Sequence, residues 1–97
     1  MKLNKSVSKF EWDEGNIGKN KKHKVNDREI EESFFDNQKI IYKDALHSNK
    51  ERRYILLGKT KGKRLLFIVF TQRKDKIRVI SARDINKKEV YLYEKKA

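Results

Sequence analysis

The sequence predicts a single α+β domain with N-terminal helices, a four-stranded antiparallel meander sheet and a C-terminal helix. Three observations lead there. The chain has 97 residues, one domain's worth. Two widely separated segments repeat the same helix-start pattern. Between them lie short runs rich in β-branched and aromatic residues, divided by polar turns.

Residues 1–9 read as a basic N-terminal extension, and the domain proper as 10–97. A first helix is expected after Asp13, although Gly15 and Gly18 oppose it. Asn26 then caps a helix over 27–36. Glu29 stands in the capping-box position, and Val25 and Ile30 form a hydrophobic staple. Residues 39–43 make the first strand. Arg52–Leu57, Leu65–Thr71 and Ile77–Ala82 make the other three, joined by turns at 59–63 and 73–76. The 65–70 run is apolar on both faces and belongs at the centre of the sheet, covered on both sides. Asn86, with Glu89, Ile85 and Val90, repeats the cap and staple and starts a helix over 87–95.

Charge narrows the function classes. Lys and Arg number 26 against 14 Asp and Glu, a net +12. The first 48 residues are nearly balanced, so the excess lies in the second half and gives the field a direction. Six of the seven arginines follow residue 49. A polyanionic partner follows from this, with the many lysines read first as a solvated surface. The chain contains no cysteine, which excludes zinc ribbons, disulfide scaffolds and thiol catalysis. His23 and His47 are too far apart in sequence to suggest a metal site, and no metal or cofactor is expected. The longest apolar run is too short to cross a bilayer. The start of the chain lacks the apolar core of a signal peptide, so a cytoplasmic protein is expected. No Walker loop, dinucleotide fingerprint or nucleophile motif is present.

Hairpin pairing builds a candidate site. If 73–76 is a turn, Thr71 sits opposite Arg78. If 59–63 is the other turn, Glu51 or Arg53 lies opposite Thr71, and residues directly across strands share a face. Arg53, Thr71 and Arg78 then form a row, with Glu51 and Arg73 at its margin. Arg83 has the opposite parity and lies about 16 Å further along, facing the C-terminal helix. Such a row suits RNA cleavage without metal. A base takes the ribose 2′ proton, arginine forks stabilise the phosphorane charge, and an acid protonates the leaving 5′ oxygen. Glu51 or His47 is the candidate base, and Tyr93 or a lysine the acid. Catalytic roles fall to Glu51, Arg53, Arg73 and Arg78, and substrate binding to Lys59, Lys61, Arg64 and Thr71. The plainer reading is a surface ion-pair network. Composition alone favours a non-catalytic RNA- or DNA-binding module over an enzyme.

The order of residues adds a resemblance. Phe10-Glu11-Trp12-Asp13-Glu14, Lys22-His23-Lys24-Val25 and Phe34-Phe35-Asp36 resemble the start of BrnT-type toxins. So do His47-Ser48, Glu51-Arg52-Arg53-Tyr54, Arg64-Leu65-Leu66, Thr71-Gln72-Arg73, the run 76–83, Glu89 and Tyr93-Glu94. The resemblance covers about residues 10–94, and its T-x-R…I-R-x-I-S-A-R stretch is the most specific part. It implies a RelE-like fold and a bacterial type II toxin, an endoribonuclease that blocks translation. It also implies a BrnA-like antitoxin in a 2:2 heterotetramer, with DNA contacted only through the antitoxin. The motif residues carry onto Glu51, Arg53, Thr71, Arg73, Arg78, Ser81, Arg83 and Glu89, and the resemblance adds Arg83 to the catalytic candidates. Capping already accounts for Glu89, which is read as structural.

Overall fold

The computed structural model describes residues 9–47 and 51–96. The strands are β1 (Lys9–Phe10), β2 (Ile40–Lys43), β3 (Tyr54–Lys59), β4 (Leu65–Arg73) and β5 (Lys76–Asp84). Helix α1 (Asp27–Phe34) lies between β1 and β2, and α2 (Lys87–Lys96) follows β5. The fold is α+β as expected, but the sheet is five-stranded and mixed, in the order β1-β5-β4-β3-β2. The expected four-strand meander is β2 to β5, all antiparallel. The fifth strand is β1, which runs parallel to β5 through Lys9↔Lys76 and Phe10↔Ile77. Apart from Lys9, the basic extension lies outside the described residues.

Both α-helices begin where the capping residues put them. The Asn26 side chain accepts from the Glu29 backbone N–H at 2.8 Å, while Glu29 accepts from that of Asn26. Asn86 and Glu89 repeat the exchange at 2.9 Å each way. The expected helix after Asp13 is instead a turn and a short 3₁₀ helix, Lys19–His23, because Gly18 turns left-handed at φ 63°. This segment covers the outer edge of β5. Asn16 donates to the Val79 carbonyl, and Asn20 accepts from the Ala82 N–H, so two open edge groups gain partners.

Alternation along β4 divides the core. Leu66, Ile68 and Phe70 face α1 and pack with Val25, Ile30, Phe34, Leu56, Ile77 and Val79. Leu57 and Tyr93 are equally buried but lie outside that cluster, on the other face, where α2 covers the sheet. The central strand is therefore covered on both sides, as its composition demands. Gly58 permits the close approach of α1: a Cβ there would fall 2.5 Å from the Ser33 carbonyl oxygen. Among the described residues no helix is long and apolar enough to cross a membrane.

Candidate active site

One end of the sheet gathers charge. The β4–β5 hairpin pairs Thr71 with Arg78 and Arg73 with Lys76, the register that the turn length predicts. Parallel pairing brings the chain after β1 alongside, with the Glu11 N–H on the Ile77 carbonyl at 2.8 Å. Phe10 and Trp12 pack against the core. The intervening Glu11, and Asp13 beyond, consequently project to the opposite face, beside Arg78.

The result is a hydrogen-bonded chain of alternating charge. Glu51 grips Arg73 from both carboxylate oxygens, 2.7 Å to Nε and 3.2 Å to Nη2. One oxygen of Glu11 accepts from Arg73 at 3.2 Å and from Arg78 at 3.1 Å. Arg78 in turn forks onto Asp13 at 2.8 and 3.1 Å. Gly15 closes the loop over it: a Cβ there would stand 2.8 Å from Arg78 Nη2. Thr71 is buried and donates its hydroxyl to the Arg52 carbonyl at 2.8 Å. That bond ties the hairpin to the segment carrying Glu51 and Arg53. The Arg53 carbonyl accepts from the Asp44 N–H, fixing the entry to β3.

The Arg73 hydrogen bond holds the Glu51 carboxyl below its ordinary range, with help from the charges of Arg73, Arg53 and Arg78. Asp13 is lowered in the same way, first by Arg78 and then by the Gly15 N–H. Both carboxylates are ionised at neutral pH and able to accept protons. The Arg73 side chain is open to solvent, 48% exposed, while that of Arg78 is mostly covered at 18%.

The remaining candidates lie elsewhere. A β-bulge between Val69 and Phe70 shifts the β5 register by one residue, so Arg83 pairs with Phe67. This corrects the parity expected for Arg83. The bulge returns it to the Thr71–Arg78 face, although it does meet the C-terminal helix as anticipated. Its guanidinium stacks 3.9 Å from the Phe67 ring centroid and forks onto Glu89 at 2.9 and 2.8 Å. Arg64 precedes β4, about 30 Å from the Arg73 end by strand rise. It binds Asp84, Glu29 and the carbonyls of Lys24 and His23, a clamp between the sheet and the N-terminal segment. Lys59 lies over the Tyr93 ring, and Lys61 is exposed on the adjoining turn. Tyr93, the candidate acid, is buried under α2 with its hydroxyl on Asp36 at 2.6 Å. Burial and the Asp36 charge push it far above the ordinary phenol range. His47 ends a short 3₁₀ helix, Ala45–His47.

Glu11 and Asp13 are the site residues that sequence reasoning missed. Their signal was present: Phe10-Glu11-Trp12-Asp13 alternates apolar and acidic, the mark of a half-buried extended segment.

A family model described as the ribonuclease toxin BrnT of type II toxin–antitoxin systems matches residues 12–89. No curated protein matches the chain. The matched stretch contains Asp13, Glu51, Arg73, Arg78 and the whole sheet except β1, and the chain belongs to the BrnT family of ribonuclease toxins.

Proposed function

We propose that this protein is an endoribonuclease toxin that cleaves RNA by metal-independent attack of a ribose 2′-OH, and so inhibits translation. The observation that supports it best is the linked row Glu51–Arg73–Glu11–Arg78–Asp13, two guanidiniums and three carboxylates at an open sheet end.

In the free protein the carboxylates occupy the two arginine forks, as a phosphate would. RNA exchanges one anion for another. Glu51 is the one displaced, since among the described residues it holds only Arg73 and sits at the margin of the row. Released from that hydrogen bond, its carboxyl rises towards its ordinary range and becomes a better base. Glu51 takes the 2′ proton, and the 2′ oxygen attacks the adjacent phosphorus. The bond to the 5′ oxygen breaks, and that oxygen takes a proton from solvent. The products are a 2′,3′-cyclic phosphate and a 5′-hydroxyl. Arg73 and Arg78 supply the positive charge that the phosphorane requires. Arg53 adds to the field at Glu51, and Thr71 positions the segment rather than touching RNA. Arg83, Arg64 and Lys59 serve the fold.

A BrnA-like antitoxin, in a 2:2 assembly, is the partner that this reading requires. Covering the charged row would remove the site and supply counter-charges. Strong expression of the toxin alone should arrest growth, and co-expression of its antitoxin should restore it. End-labelled RNA incubated in EDTA should be cut by the wild type and left whole by Arg78→Ala. Unimpaired growth and intact RNA would together refute the proposal.

One observation favours a second reading, a non-catalytic nucleic-acid-binding module: both arginines of the row already hold carboxylates. That module would retard RNA with a steep salt dependence and leave it whole.

A further inference from the structure

At the opposite end of the sheet, two turns meet around Arg64. The carbonyl of Lys24 accepts from Arg64 Nη1 at 2.7 Å, and Lys63 immediately precedes Arg64. The exposed residues here are Lys21, Lys22, His23 and Lys24 on one turn and Lys61, Gly62 and Lys63 on the other. None is apolar. Lys22, Lys24, Lys61 and Lys63 form no ion pair among the described residues. The nearby acids are occupied: Glu29 and Asp84 hold Arg64, and Glu32 accepts from the Lys61 N–H.

The backbone adds a second observation. Three lysines among the described residues are left-handed, Lys24, Lys63 and Lys74, at φ 59°, 72° and 55°; the first two lie here and Lys74 on the β4–β5 turn. Glycine takes that conformation freely, whereas a side chain opposes it. Gly62 lies next to Lys63, yet the lysine holds the left-handed position. At this end of the sheet the fold keeps an exposed cation at two places where its geometry favours no side chain.

We propose that Lys24 and Lys63, with Lys22 and Lys61 beside them, form a second anion-binding surface that holds the RNA backbone away from the cleavage site. This rests on the protein acting on RNA. The two ends of β4 are about 30 Å apart, on the order of nine nucleotides of a stacked strand. Short RNA reaches one end and long RNA reaches both. Exposed point charges with no apolar residue among them suit a phosphate backbone better than a peptide, which needs anchoring pockets.

The test is a Lys24→Gly/Lys63→Gly double variant of the full chain, with Lys24→Asn/Lys63→Asn as a second version that tolerates the same backbone. Anisotropy would follow binding to fluorescent 2′-O-methyl RNA of six and twenty nucleotides, which cannot be cut by 2′ attack. The glycine variant should melt at a higher temperature than the wild type. Both variants should bind the long RNA about 25-fold more weakly at 0.1 M salt, with a log–log salt slope smaller by about 1.4. Affinity for the short RNA should not change. A raised melting temperature with unchanged affinity for long RNA would overturn the proposal, as would wild-type protein that binds neither RNA. Because no cleavage is read, a lysine-dependent protein that neither cuts RNA nor arrests growth refutes the nuclease reading and leaves this surface standing.

Discussion

Replacing Arg78 with lysine keeps the charge and removes the fork. In the free protein this guanidinium makes three hydrogen bonds among the described residues, 3.1 Å to Glu11 and 2.8 and 3.1 Å to Asp13. An ammonium is a point donor and does not span two oxygens of one anion in a fixed plane. Where the Arg78 guanidinium also meets the phosphorane, losing one of its donors costs on the order of 100-fold in turnover. RNA binding follows the number of charges, so affinity should change less than about 3-fold and the salt slope should hold. Single-turnover cleavage measured beside anisotropy separates the two effects, and a thermal melt checks folding. An Arg78→Lys protein that cuts at the wild-type rate would refute the clamp. Equal loss of binding and cleavage would reduce Arg78 to a holder of RNA.

The structure sets three further expectations. Gly58→Ala drives a Cβ to 2.5 Å from the Ser33 carbonyl oxygen, so α1 must shift; urea unfolding should show a loss of about 1–3 kcal/mol. Tyr93→Phe removes a buried 2.6 Å hydrogen bond to Asp36 and should cost about 1.5–3 kcal/mol in the same assay, loosening α2 while leaving the charged row intact. Acid should weaken the fold in a defined window. Arg73 holds the Glu51 carboxyl below its ordinary 4.5. Burial pushes Asp36 up from 3.8 and Glu89 up from 4.5, but Tyr93 and backbone N–H bonds at Asp36, and Arg83 and Asn86 at Glu89, outweigh it and leave both lowered. Lowered folded-state values add stability above the unfolded values that is lost as pH falls through the folded ones. Urea midpoints should therefore be level above about pH 5 and decline below pH 4.5. A flat profile down to pH 3 would contradict this.

Local chemistry made much of the fold legible. Both capping boxes place their helices, and the polar turn at 73–76 sets Thr71 against Arg78. The features that escaped depend on partners distant in sequence. β1 has two residues and reads as part of a basic tail; only β5 makes it a strand. The bulge leaves no composition mark, because the neighbouring residues of β5, Val79 and Ile80, are both apolar. Without it Arg83 falls on the wrong face. Arg64 looks like one more basic residue near a turn, and only the folded chain brings Glu29, Asp84 and two carbonyls around it. At the site, Glu51, Arg73 and Arg78 were found through strand register. Glu11 and Asp13 needed the parallel pairing. The lysines, first read as a solvated surface, gain weight from a left-handed backbone that sequence does not display.

The most direct test of the central claim is the chemistry of the cut ends. Wild-type protein freed of any partner would be given end-labelled RNA in EDTA, beside the same RNA carrying one 2′-deoxy nucleotide at the mapped cleavage site. Attack by the neighbouring 2′ oxygen predicts a 2′,3′-cyclic phosphate and a 5′-hydroxyl on the first substrate and no cut at the deoxy position of the second. Cleavage at the deoxy nucleotide, or a 3′-hydroxyl with a 5′-phosphate, would contradict it.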